Sequence, residues 1–216
     1  MPTPNLTPPP ERPTPRRFVG IDPGLQVTGY AVLEVGVNGP KICEAGVIRS
    51  AEGRETADMA RRVCVLYDGL CEVLDQWKPN AMAVEQLFAH YDHPRTAILM
   101  AHARGAFFLA GAQRNIPVTS YAPTRVKKLV TGSGRADKEQ MQNAVMRELG
   151  LAKPPEPHDV ADALAIALCH YFACGNGIMG GARSATFTGV NMRALLGDDP
   201  DLLDELDELK TTDDAA

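Results

Sequence analysis

A helix that is apolar nearly all the way round has to be enclosed by the rest of its chain. The stretch EPHDVADALAIALCHYF, residues 156–172, has that composition, broken by two carboxylates near its start. Asp159 and Asp162 stand three residues apart, which places them on one helical face. That face continues through Ile166 and Cys169 and therefore points into protein. Two negative charges at the edge of a buried face call for a positive partner.

The segments upstream supply what this helix needs as a cover. FVGID (18–22), VTGYAVLEV (27–35) and KICEAGVIRS (41–50) are rich in β-formers, the last two joined through NGP, and they predict an antiparallel meander. Apolar residues from Met59 to Trp77 recur at helical spacing and predict a helix over 56–77. AMAVEQ (81–86) reads as a fourth strand, 93–113 as a helix and IPVTSY (116–121) as a fifth strand. Short helices are expected near 123–130 and 137–149, around the loop TGSGR, before the apolar helix at 158–173. This order predicts an α/β domain: a mixed five-stranded sheet, three strands antiparallel and two parallel, flanked by helices.

The chain of 216 residues, 44% apolar, is long enough for one ordinary domain with tails. The expected divisions are a disordered proline-rich arm at 1–17, the folded domain at 18–174 and a flexible acidic tail at 175–216. Leu202, Leu203, Leu206 and Leu209 could line a short amphipathic helix within that tail. No apolar run is long enough to span a membrane, and the N-terminus lacks the apolar core of a secretory signal. Five cysteines without a C-x-x-C pair point to a reducing cytoplasm rather than to disulfides or zinc.

A net charge of −5 argues at first against a nucleic-acid ligand. Its location removes the objection. Residues 186–216 carry nine Asp or Glu against Arg193 and Lys210, while residues 1–17 carry three Arg and one Glu, so the body between them is neutral. A local basic surface is what binding DNA requires. Arg125, Lys127, Lys128, Arg135 and Lys138 form such a cluster around the TGSGR loop.

Two further carboxylates sit where strands give way to loops: Asp22 ends the first strand and Glu85 the fourth. In open α/β sheets that is where ligands bind. Each acidic residue alone has an ordinary explanation. Asp before Pro-Gly forms turns, a strand-end Glu is solvated, and Asp suits the first turn of a helix. Together the four carboxylates would repel one another unless a cation neutralised them, and hard oxygen donors select Mg²⁺ or Mn²⁺. Two such ions can hold a phosphodiester for hydrolysis.

With these residues in place, the chain resembles the RuvC family of bacterial Holliday-junction resolvases, in the ribonuclease H-like superfamily. The matching stretches are GIDPGLQVTGYAV (20–32), AVEQLF (83–88), ARG (103–105), RVKKLVTGSGRADKEQ (125–140) and HDVADALAIA (158–167), in family order and spacing. The resemblance implies a structure-selective endonuclease that cuts four-way DNA junctions symmetrically, leaving 5′-phosphate and 3′-hydroxyl ends. It makes Asp22, Glu85, Asp159 and Asp162 metal-binding catalytic carboxylates for two Mg²⁺ ions, with Mn²⁺ able to substitute. Some family members place His at the position of Asp159, and His158 stands beside it.

Lys138 matches a basic residue near the scissile phosphate, Lys127 a DNA-contacting lysine, and Phe88 an aromatic inserted against bases at the junction centre. His90 and His93 beside Phe88 are better explained by loop polarity than by zinc. The resemblance also implies a homodimer, with the helices at 56–77 and 94–113 as candidate surfaces, and the RuvA and RuvB branch-migration proteins as partners. Two other readings require features that the sequence does not show. A catalytically idle junction-binding module would have lost a carboxylate. An actin-like phosphotransferase, sharing the GIDPG turn, would need a second phosphate loop and a longer chain.

Overall fold

A computed structural model of the chain describes residues 15–50, 58–87 and 94–175. Phe88, His90, His93, most of the proline-rich arm and the acidic tail with its four leucines lie outside the described residues. Ten elements follow in the expected order: β1 (Arg17–Asp22), β2 (Val27–Gly36), β3 (Gly39–Arg49), α1 (Met59–Trp77), β4 (Ala81–Glu85), α2 (Pro94–Gln113), β5 (Val118–Tyr121), α3 (Pro123–Thr131), α4 (Lys138–Leu149) and α5 (His158–Ala173). The strands form one sheet ordered β3-β2-β1-β4-β5. β1 pairs antiparallel with β2 and β2 with β3, whereas β4 runs parallel to both β1 and β5. β1 begins at Arg17, inside the segment read as arm, because that side chain is held by Glu34 at 3.0 Å and by the carbonyl of Trp77 at 3.2 Å.

Strand alternation assigns the two faces. Val19, Ile21, Val32, Met82 and Val84 pack with Leu66, Leu70 and Phe107 under α1 and α2. Ala31, Leu33 and Ala83 pack on the opposite face with Val126, Val145, Leu164 and Ile166 of α3, α4 and α5. Gly20 and Gly29 belong to that second face, and Asp22 and Glu85 continue its alternation at the strand ends.

α5 lies against this face at backbone-contact distance. A Cβ on Gly29 would stand 2.0 Å from the carbonyl oxygen of Asp159, and one on Gly20 would stand 2.4 Å from both the Ala163 oxygen and the Ala167 nitrogen. Farther along, Phe18 meets the ring of His170 edge-on, with centroids 4.8 Å apart. The Tyr121 hydroxyl closes the far end by hydrogen-bonding His170 Nδ1 at 2.8 Å. Burial pushes His170 down to about 4, so the ring is neutral there at physiological pH.

Four helical residues advance about 6 Å and two strand residues about 6.6 Å, so the steps 159–163–167 along α5 keep pace with 22–20–18 along β1. The helix accordingly runs back along the strand, with its first turn beside Asp22. Any side chain at Gly29 or Gly20 would meet backbone, which cannot yield as a flexible side chain does. Gly29→Ala should therefore lower stability by about 1–3 kcal/mol, read as a lower urea midpoint with an unchanged m-value.

Candidate metal and nucleic-acid site

Three remote pieces of chain meet at one end of the sheet. Asp22 and Glu85 close the neighbouring parallel strands β1 and β4, and Asp159 and Asp162 occupy the first turns of α5. Residue 22 pairs across to Gly29, the residue on which Asp159 rests. Asp22, Glu85 and Asp159 are half-buried, and Asp162 reaches solvent. Ile166 and Cys169 of the same helical face are buried, as the periodicity predicts. The turn that carries the carboxylates sits at the end of the sheet, where its cover ends.

The charges are poorly compensated. Burial, then the neighbouring Asp162 and Asp159, push Asp22 up to about 7. Burial, then Asp22 and Asp162, push Glu85 up to about 7, with Lys127 opposing. Asp162 is also raised, by the protein packed around it although its side chain reaches solvent; Lys138 opposes this and Asp159 adds to it. Two ammonium groups therefore face the cluster, Lys127 on the Glu85 side and Lys138 on the Asp162 side. His158 also acts on Asp162.

Local structure explains how these cations arrive. α3 starts with Pro123 at its first position and ends on Gly132 in the left-handed region, at φ 84°. α4 starts with a capping box between Asp137 and Gln140. Lys138 is thereby fixed in the first turn of α4, where the helix dipole disfavours a cation. Proximity to Asp162 offsets that cost. Among the other basic residues expected here, Arg125, Lys128 and Arg135 are exposed around the same loop. Arg125 lies 5.9 Å from the centroid of the Tyr121 ring, and Lys128 is in the last turn of α3.

One contributor has no role in the sequence reading, although ARG is among the matching stretches. Arg104 of α2 donates from Nε to the Glu85 carbonyl at 3.2 Å and from Nη2 to Ser120 Oγ at 2.7 Å, and its guanidinium lies 4.4 Å from the centroid of Phe108. Burial pushes it down to about 10, still protonated at neutral pH. It ties the end of β4 to β5, fixing the backbone from which Glu85 projects. An arginine in an apolar helix was the available signal. Its partner on a distant strand was not visible.

The donor set fits a hard divalent cation: carboxylate oxygens, crowded, partly dehydrated and short of positive charge. Among the described residues no three Asp, Glu, His or Cys side chains close a ready-made shell. Magnesium tolerates this, because it keeps several waters and takes one or two carboxylates together with substrate phosphate.

A mixed sheet in this order, with carboxylates at the ends of two parallel strands and on the last helix, defines a nuclease of the ribonuclease H-like kind. The chain belongs to the RuvC family: the family model described as "Crossover junction endodeoxyribonuclease RuvC" matches residues 18–170. It is 52% identical over 163 residues to a protein of that name from Rhodopirellula baltica, covering 74% of this chain and 89% of the relative. A Fusobacterium nucleatum protein of the same name is 40% identical over 160 residues, covering 74% and 82%. The solved structure described as "T. thermophilus RuvC in complex with Holliday junction substrate" superposes with a TM-score of 0.68 at 34% identity, over 74% of this chain and 94% of that one.

The raised carboxylates make stability depend on pH. Between about pH 4 and pH 7 the native state holds protons on Asp22 and Glu85 that the unfolded chain has released. Native stability from these groups therefore falls as pH rises through that window and levels off above it. In EDTA, Asp22→Asn should be more stable than wild type at pH 8 by about 1–3 kcal/mol after allowance for solvent screening. The gap should narrow at pH 5, and thermal melts at the two pH values measure it.

Proposed function

We propose that this protein resolves four-way DNA junctions by metal-dependent hydrolysis of one phosphodiester in each of two symmetric strands, during recombination and repair. The observation that carries this reading is the convergence of Asp22, Glu85, Asp159 and Asp162 from three distant segments onto one end of the sheet, faced by Lys127 and Lys138. Family membership, and the Holliday junction held by the similar T. thermophilus protein, support the substrate. The folded nuclease unit is taken as residues 18–174, with the arm and acidic tail outside it.

The four carboxylates would hold Mg²⁺, two ions per site, with Mn²⁺ as substitute. Bound there, the ions supply Lewis-acid polarisation of the phosphodiester and activation of the attacking water. Asp22, at the centre of the sheet beside both Glu85 and the start of α5, would be a principal ligand to the metal. Glu85 and Asp162 would add further oxygen ligands, and Asp159 would assist from the preceding turn. Lys138 places an ammonium next to Asp162, where it neutralises charge building on the scissile phosphate. Lys127, with Arg125, Lys128 and Arg135 around the same loop, holds flanking phosphates. Phe88, three residues beyond Glu85, stacks on a base at the junction centre.

Symmetric cutting needs two sites, so the working form is a homodimer. The α1–α2 face of the sheet, opposite α5, offers the surface. Ile98 and Leu109 of α2 are 59% and 52% exposed, large values for apolar side chains on an ordered helix. Leu109 also borders a groove with Val63 and Tyr67 of α1. Among the described residues no helix is long and apolar enough to cross a membrane. The RuvA and RuvB branch-migration proteins are the expected partners, in the cytoplasm.

Cleavage of a labelled immobile four-way junction, with and without Mg²⁺, tests the reading. Wild type should make paired symmetric nicks. Asp22→Asn should lose at least about a thousandfold in rate while still binding the junction, and Lys138→Ala should lose about a hundredfold. Binding without cutting, on mobile junctions of varied sequence as well, would leave a junction-binding module and end the enzyme reading. For the dimer, Leu109→Glu should shift sedimentation from dimer to monomer, and an unchanged dimer would place the interface elsewhere.

A further inference from the structure

Among the described residues three Ser or Thr side chains are buried: Thr28, Ser50 and Ser120. A buried hydroxyl is unfavourable unless its hydrogen bonds are made, so the partner of each one is informative. Ser120 accepts from Arg104, which also holds the end of β4 at Glu85. The other two serve the loop 23–27, by which the chain leaves Asp22. Thr28 Oγ1 accepts from the Gly24 N–H at 3.3 Å and donates to the Gly24 carbonyl at 2.7 Å. Ser50 Oγ donates to the Leu25 carbonyl, and the Ser50 N–H donates to the Gln26 carbonyl at 3.0 Å. All three buried hydroxyls are thus committed to the two strand ends that carry Asp22 and Glu85.

The loop is tight at its neck. Thr28 alone, among the described residues, satisfies both the amide and the carbonyl of Gly24. A Cβ on Gly24 would stand 2.0 Å from the Val27 carbonyl oxygen, so the chain turns back on itself with no room for a side chain there. Pro23, between Asp22 and Gly24, is buried and its ring fixes φ. Asp22 is accordingly held from two sides, by its ladder partner Gly29 on β2 and, through Pro23, by the Gly24–Thr28 pair. Alternation places Thr28 on the α1–α2 face and Asp22 on the α5 face. Leu25 packs into the α1–α2 cluster as well, so the loop is drawn away from the side on which the carboxylate projects.

Metal-ligating carboxylates are commonly oriented by hydrogen bonds from a surrounding layer of polar groups. The Asp22 carboxylate accepts none from another described residue, so its placement comes from the backbone that carries it. Resting on the resolvase reading, we infer that Thr28 is a positioning residue for the metal site. Its hydroxyl clamps the turn at Gly24 and thereby fixes the Asp22 carboxylate where a divalent cation would meet it. Ser50 steadies the far side of the same loop. Both side chains act through the loop backbone, from the face of the sheet opposite the carboxylates.

Two substitutions separate the hydroxyl from the shape of the side chain. Thr28→Val keeps the shape and removes the hydroxyl, whereas Thr28→Ser keeps the hydroxyl and removes the methyl group. Mn²⁺ binding to the full chain without DNA, titrated by electron paramagnetic resonance, should weaken about tenfold in Thr28→Val and stay within about twofold of wild type in Thr28→Ser. The Mg²⁺ concentration for half-maximal junction cleavage should rise by a similar factor in Thr28→Val, with junction affinity in EDTA unchanged. A side chain needed only for packing would give the reverse order, Val like wild type and Ser impaired. That result, or equal metal binding in all three proteins, would overturn the proposal. Circular dichroism melts in EDTA check that Thr28→Val folds. If it does not, Ser50→Ala, which frees the Leu25 carbonyl of the same loop, takes its place: weaker Mn²⁺ binding supports the clamp and unchanged binding overturns it. Wild type that binds Mn²⁺ but cuts no junction would remove the resolvase reading and leave the Thr28 comparison to decide the clamp, whereas wild type that binds no Mn²⁺ would remove both.

Discussion

The close approach of α5 to the sheet is the contact on which the site depends. Gly29 beneath the Asp159 carbonyl and Gly20 beneath Ala163 and Ala167 let a helix lie on strands with almost no side-chain layer between them. The cost is two glycines in strand interiors, each losing packing and gaining chain entropy to be overcome. The return is geometric. Backbone touching backbone has little room to slide, so the distance from Asp22 to the first turns of α5 is set by hard contact. At the other end the Tyr121–His170 hydrogen bond and the Phe18 ring hold the helix in register.

Against that rigid placement stands an electrostatic arrangement that is unfavourable by itself. Asp22 and Glu85 are pushed up to about 7 by burial and by one another's neighbours. A site that raises its own carboxylates has given up stability in the metal-free state, and a divalent cation recovers it by replacing the retained protons. Lys127 and Lys138 provide only part of the missing charge, and both border the cleft that a substrate strand would enter. They suit a role toward incoming phosphate better than one as permanent counter-ions.

The two faces of the sheet divide the work. The α5 face carries the carboxylates, the lysines and the cleft. The α1–α2 face carries a tightly packed core beneath helices whose outer surfaces remain apolar at Ile98 and Leu109. Arg104 belongs structurally to the α1–α2 face and acts at the edge of the α5 face, since its hydrogen bonds reach the Glu85 carbonyl and Ser120. A change in the packing of α2 would therefore be felt at the carboxylate site through the end of β4. The opposite face can in this way influence chemistry without presenting any side chain to it.

Much of this was legible in the sequence, because periodicity is local. Alternation in β1 to β3, the 3.6-residue pattern of α1 and the all-apolar α5 follow from side-chain direction alone, and the observed elements fall within a few residues of their expected bounds. The four carboxylates were also visible, as charges interrupting apolar runs at strand ends and at a helix start. Strand order and the parallel pairing of β4 with both β1 and β5 were compatible with the pattern but not dictated by it. The sequence by itself determined which residues are buried and which charges break the buried pattern. Only the tertiary structure decided which distant charges meet, that Arg104 holds the Glu85 strand, that Gly20 and Gly29 seat α5, and that a cleft opens beside Asp162. Contacts between segments far apart in the chain are set by packing, and packing has no period along the sequence.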